Sequence, residues 1–339
     1  MGKFTSWLIL GILFGIPPRL HAANPKELQR DSIKKMNFTI DYQGFLDNRE
    51  FTQVKNQIPT TFFGHRLELA AHLYLDSTSL LTIGINPLQE FGSPSLFSFT
   101  QPTIYLQKDG KNHQFLFGSF PRTLAIGLLP RAFFSDTIAY YRPNVTGLAY
   151  TFRKKKSEFS GWIDWTSQKK NIQREHFFVG VSSKTVLNKI SILFYSHLSH
   201  LANNANGFPQ KPLEESLMNY LECRYLFELN RFWSYLPSIS LLHSIERIRD
   251  GSPTRSATSI LIENAMSYRS IAVKHTLKRG MSHFTYSGDP FYQYANYGRL
   301  DFLLQARNIK GLHIQGIYSV HFIDQRMLHQ QKVAVSLKV

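Results

Sequence analysis

The sequence predicts an all-β protein, a closed antiparallel transmembrane β-barrel of about sixteen strands, in a range of about fourteen to eighteen. Three observations predict it. Apolar and polar residues alternate with period two in runs that recur along the 339 residues. Short and long connections take turns between the alternating runs. Past the N-terminus, no apolar run approaches the roughly 18 residues that a membrane-crossing helix needs.

The opening residues stand apart from this pattern. Lys3 precedes an apolar core at residues 7–16, Pro17 and Pro18 end it, and Ala22 and Ala23 offer a cleavage site. This is the layout of a signal peptide, expected over 1–23, with a core too short to span a bilayer. No cysteine follows it, which argues against a lipid anchor. Residues 24–35 are then expected as a periplasmic N-terminal segment and 36–339 as the barrel. The expected destination is the outer membrane of a Gram-negative bacterium.

Loss of the signal removes Lys3 and Arg19, leaving 37 basic residues against 23 acidic ones, a charge of +14. In a cytosolic chain that excess would suggest nucleic acid. In an exported chain it points to anionic solutes, lipid head groups or glycans, and nucleic acid is not expected. Cys223 is the sole cysteine, so no internal disulfide forms and no cysteine zinc site is expected.

Alternation is plain in several runs. Phe38, Ile40 and Tyr42 alternate with Thr39, Asp41 and Gln43. Leu67, Leu69, Ala71 and Leu73 alternate with Arg66, Glu68, Ala70 and His72. Leu312, Ile314, Gly316 and Tyr318 alternate with His313, Gln315 and Ser319. Period two places one set on each face of a strand.

Short connections are expected near 76–79, 108–111, 153–157, 183–188, 230–234, 267–270 and 308–311. Longer ones are expected near 48–60, 87–101, 119–144, 167–174, 199–216, 250–257 and 280–296, with a modest last one near 324–328. A soluble sandwich has no reason to sort its loops in this way. An outer-membrane barrel has short periplasmic turns, long external loops and both termini on the short-turn side. Aromatic clusters at Tyr140–Tyr141, Trp162 with Trp165, Phe177–Phe178 and Phe232–Trp233 with Tyr235 are expected as interfacial girdles.

The segment from Tyr42 to Phe51, reading YQGFLDNREF, resembles the first strand and loop of porin-like outer-membrane barrels of Bacteroidota. FGSFPR at 117–122, YRPN at 141–144 and GWIDWT at 161–166 extend the likeness across much of the first half. The resemblance implies an outer-membrane barrel and no particular solute. In one respect the chain departs from such barrels: they commonly end on an aromatic residue, and it ends on Val339.

The function these features suggest is passive diffusion of small, anionic solutes through a porin, not catalysis. The loop at 119–144 is long and largely apolar, so it should pack within the barrel or on its rim. Arg122, Arg131, Asp136 and Arg142 are the candidates for a constriction there. The candidates for lining the lumen are Arg66, Glu68, Arg224, Lys274, Lys278, Arg299, Asp301 and Arg307, with Asp41, Glu222, Lys332 and Lys338 on the same face. Basic rings favour anions in a narrow channel; alternatively, such charges pair across strands and hold the interior together.

Two rival functions come from other classes. His197, Ser199 and His200, with Asn203 and Asn204, sit at the external rim and resemble the Ser, His and Asn set of outer-membrane phospholipase A. That set would make the chain a rim-active lipid hydrolase. A barrel plugged by its own loops would instead serve as an adhesin or scaffold. No cofactor is expected, and no metal: neither His65 with His72 nor His313 with His321 has the companions of a real site. The expected partners are outer-membrane lipid and lipopolysaccharide, the barrel-assembly machinery, small solutes and further copies in a homotrimer.

Overall fold

The computed structural model describes residues 36–54, 57–126, 130–170, 173–204, 211–309 and 311–339. The expected signal peptide (1–23) and N-terminal segment (24–35) lie outside the described residues.

The alternating runs become strands. The first third forms β1 (Met36–Glu50), β2 (Thr60–Tyr74), β3 (Ser79–Glu90), β4 (Phe99–Asp109) and β5 (His113–Pro121). A loop with two single-turn helices follows, α1 (Arg122–Ala125) and α2 (Ile138–Tyr141). Next come β6 (Asn144–Lys154), β7 (Ser157–Ser167), β8 (His176–Leu187), β9 (Ile190–Leu201) and β10 (Glu214–Tyr225). After the two-residue β11 (Phe227–Glu228) run β12 (Trp233–Ile248), β13 (Arg255–Tyr268) and β14 (Ile271–Gly280). The chain ends with β15 (Asn296–Ile309), β16 (Leu312–Ile323) and β17 (Arg326–Lys338).

All pairings are antiparallel, and the first and last strands join. Asp41 lies opposite Lys338, and the register runs on to Glu50 opposite His329. The sheet therefore closes on itself, which removes both edges. Sixteen long strands make the barrel, as the alternation and loop lengths predict, with β11 as a small addition beside β12.

The faces are inverted relative to a soluble protein. Leu69, Ile85, Ile104, Phe117, Leu241, Ile262 and Phe302 are exposed, whereas Asp47, Arg66, Asp164, Glu222, Lys278 and Arg299 are buried. Apolar side chains turned outward meet lipid, and polar ones turned inward meet each other.

The sequence places strand ends too early in a few regions. The turn expected at 183–188 shrinks to two residues, because β8 runs on to Leu187 and Asn188 takes a left-handed φ of 54°. The modest external loop near 324–328 is also a two-residue turn, with Asp324 and Gln325 at φ 44° and 63°. Two left-handed residues give a turn whose twist matches the strands it joins.

Three of the expected girdle aromatics point inward. Tyr140 stacks on Phe45 at 4.1 Å, Phe178 packs on His176, and Trp162 is buried across β8. The last needs Gly180, where an added Cβ would come within 2.2 Å of the indole. Aromatic content cannot separate a girdle from an inward anchor, because both sit near strand ends.

The inward aromatics belong to an apolar cluster within the barrel. Phe133 and Phe134 of the 122–143 loop join Phe120, Trp162, Tyr195, Tyr220, Leu261, Phe291, Tyr297 and Leu328. A second inward loop, 281–295, meets the first. Ser135 N–H donates to Ser287 O at 2.7 Å, and Asp289 N–H to Arg131 O at 2.8 Å. The described parts of the two loops thus pack together inside the external half of the barrel.

Candidate active site at the external rim

The described residues expected to line or narrow a pore are engaged, some with one another and others with backbone carbonyls and neighbouring side chains. Arg131 pairs with Asp301 at 3.0 Å, Asp136 with Lys332 at 2.8 Å, and Arg299 with Asp301 at 2.6 Å and Asp289 at 3.5 Å. Burial works against the Asp136 carboxylate, yet Lys332, Arg131 and Arg299 together hold it well below the ordinary range. Arg122 donates to Asp164 at 2.7 Å, and Arg142 to the Thr166 carbonyl at 3.2 Å.

Arg66 donates to Asn86 and to the Tyr140 carbonyl, while Glu68 accepts from Asn86 at 3.2 Å. Arg224 pairs with Glu222, and Lys274 with Glu263 at 2.7 Å. Lys278 meets carbonyls: it donates to Met281 O at 2.8 Å and Tyr294 O at 2.6 Å, tying down the inward loop. The Arg307 side chain lies outside the described residues.

At the external ends of β9, β10, β12 and β13 the interior opens into a cavity of about 700 Å³. Ser199, Leu201, Glu214, Ser244, Arg255, Met281, His283 and Tyr286 are among its lining residues. Polar groups gather on its strand walls, and Met281, Phe284 and Tyr286 expose apolar surface at its mouth.

Ser199 does meet a histidine there, although neither of the two close in sequence. His197 is buried against Phe133, and His200 turns to Glu215 and stacks on Phe177. Asn203 is exposed and Asn204 accepts from the Lys211 N–H, so neither joins Ser199. The partner is His176 on β8, whose Nε2 lies 2.9 Å from Ser199 Oγ.

Thr166 completes the run. It falls where the β7–β8 register slips between Trp165 and Ser167, and this bulge aims its hydroxyl at the imidazole. Thr166 Oγ1 donates its proton to the His176 carbonyl at 2.9 Å, so it can only accept from Nδ1–H. That leaves Nε2 unprotonated and ready to accept from Ser199. A neutral imidazole held by its other nitrogen is the arrangement that a hydroxyl nucleophile needs. Tyr286 packs on the same ring at 4.2 Å and walls it from solvent.

A second relay faces the cavity. His283 lies between Ser244 and Ser259, both at 2.8 Å. Ser259 donates to Met281 O, so by the same reasoning His283 Nδ1 accepts from Ser244. Burial, with the Lys278 charge nearby, pulls His283 down to about 4 and keeps it neutral.

This geometry can be set beside known proteins. A family model described as "Lipid A 3'-O-deacylase-type" matches residues 28–334. The chain belongs to the lipid A 3'-O-deacylase-type family. Membership corrects the expectation that the chain is no enzyme, since this family takes its name from one. The sequence misled because His176 opens β8 and Ser199 lies near the end of β9, so the length of one hairpin separates them and no local motif joins them.

The deacylase-type chain also has porin-like neighbours among solved structures. OpdQ of Pseudomonas aeruginosa is 12% identical, with a TM-score of 0.59 over 91% of this chain and 98% of that one. The loop-deleted OmpT of Vibrio cholerae is 8% identical, with a TM-score of 0.58 over 90% and 99%. OprB of Pseudomonas putida is 8% identical, with a TM-score of 0.56 over 96% and 98%. At such identities the likeness establishes the outer-membrane barrel fold alone. Among curated proteins, none matches the chain.

Proposed function

We propose that the protein hydrolyses an acyl ester of a lipid A-type substrate at the external rim, with Ser199 as nucleophile and His176 as its base. The observation that carries this reading is the Thr166–His176–Ser199 run, whose hydroxyl end lines the rim cavity. His176 Nε2 takes the Ser199 proton as Oγ bonds to the ester carbonyl carbon. The ring then returns that proton to the departing alkoxide, leaving an acyl-serine. Water, deprotonated by the same nitrogen, cleaves the acyl-serine and restores the hydroxyl. The apolar mouth at Met281 and Phe284 suits an acyl chain, and its level suits an outer-leaflet lipid.

A second reading, a diffusion pore, draws on the porin-like barrel, and so does a homotrimeric assembly. The inward loops and the paired interior charges favour the hydrolase. Planar-bilayer conductance combined with ester hydrolysis separates the two. The hydrolase predicts hydrolysis that disappears in Ser199→Ala, with little steady conductance. A pore predicts sustained conductance and no hydrolysis. The signal peptide and N-terminal segment belong to the same proposal, as the route by which the chain reaches that membrane.

A further inference from the structure

Beside His176 lies a smaller cavity of about 210 Å³, lined by Thr166 and His176 but not by Ser199. We infer that this cavity is a binding site for one compact oxyanion, a carboxylate or phosphate group, held between Arg122 and Arg142. Both arginines line it together with Asp164, Thr166, His176 and Tyr286. Two arginines and one aspartate thus stand in the lining, an excess of one positive charge; the Arg122 guanidinium also lies over the Phe134 ring at 5.2 Å and donates to the Asn144 carbonyl at 3.2 Å.

The donors are only partly used. Arg122 commits Nη2 to Asp164, but its Nη1 has no hydrogen-bond partner although the residue is only 3% exposed. Arg142 gives Nη2 to the Thr166 carbonyl. Burial, above all, lowers the pKa of Arg142, with Asp164 opposing and Arg122 adding to the effect. An unused buried donor on a charged group is costly. An oxyanion relieves that cost, because guanidinium forks match its oxygens and its charge balances the excess. The volume admits the head of such a ligand and excludes a long acyl chain.

The oxyanion has two sources: the phosphate of a lipid head group, or the carboxylate released by ester hydrolysis. The site rests on its own geometry and is tested without turnover, so its failure and the failure of the hydrolytic reading are distinguishable.

The test is isothermal titration calorimetry on the full chain, folded in detergent and carrying Ser199→Ala, with inorganic phosphate and acetate titrated separately. Saturable binding of one anion is expected, phosphate marking the head group and acetate the released acid. Arg142→Gln should weaken it by about tenfold or more, while Arg153→Gln at the far end of β6 should not. If Arg142→Gln fails to give the heat-shifted folded form, Arg142→Lys keeps the charge without the planar fork and should still weaken binding by about tenfold. Absence of saturable binding by either anion, or unchanged affinity in a folded Arg142 variant, overturns the inference.

Discussion

Ser199 Oγ and His176 Nε2 stand 2.9 Å apart across neighbouring strands, on residues 23 positions apart in the chain. Ser199 pairs in register with Phe178, so it reaches His176 along the diagonal of the β8–β9 ladder. Replacing either residue should therefore stop ester hydrolysis while leaving the barrel folded. Ser199→Ala and His176→Ala are expected to lose activity by about a thousandfold or more. Thr166→Val, which removes only the ring's anchor, should lose about tenfold, or ~1.4 kcal/mol of barrier. Rates measured on heat-shifted, folded protein check the order.

Removing one partner from the interior charge network should loosen the inward loops. Asp301 accepts from Ser319 and pairs with both Arg131 and Arg299, and it is nearly inaccessible. Asp301→Asn leaves buried cations without their partner and is expected to cost about 3–5 kcal/mol. The temperature of the electrophoretic shift from folded to unfolded barrel should drop. Ion conductance past the loosened loops should rise above that of the parent.

The outward face makes a depth-dependent prediction. Leu241 lies at the middle of β12 and Ile314 near the periplasmic end of β16, both exposed to lipid. Leu241→Arg should cost about 2–4 kcal/mol and Ile314→Arg about 0–1 kcal/mol, as midplane and interfacial sites do. Denaturant titrations in lipid vesicles measure both. Equal costs would mean that the barrel sits at a different depth.

Much of this architecture can be read in the sequence. Alternation in β2 and β16, together with the sorting of loops by length, leads to the sixteen strands, because each strand's faces meet such different surroundings. The pairing of inward charges is harder to read. Arg131 and Asp301 are joined only through the closed barrel, and period two gives the face a residue is on but not its partner. Of the candidate site the sequence points to Ser199 alone, since His197, His200, Asn203 and Asn204 turn elsewhere. Thr166 and His176 flank an external loop without any motif, and a bulge brings them into line. Ser244, Ser259 and His283 were missed for the same reason: three separate segments meet only where a loop folds inward.

Acid should open that inward loop. His283 titrates at about 4 in the folded chain against 6.5 for the free side chain. Between these values the unfolded chain binds a proton that the folded site does not. The stability that depends on neutral His283 is present above pH 6.5 and drains away as pH falls towards 4. Limited proteolysis within 281–295 should accelerate over that window. In His283→Gln, which cannot gain the charge, the acceleration should be much smaller.

The proposed reaction is cleavage of an acyl ester of a lipid A-type molecule by the Ser199 hydroxyl. Its most direct test is mass spectrometry of lipid A after incubation with the folded protein, beside the Ser199→Ala variant. The parent chain should remove one ester-linked acyl chain, and Ser199→Ala should leave the spectrum unaltered. Unaltered lipid A in both, or equal deacylation by both, would contradict it.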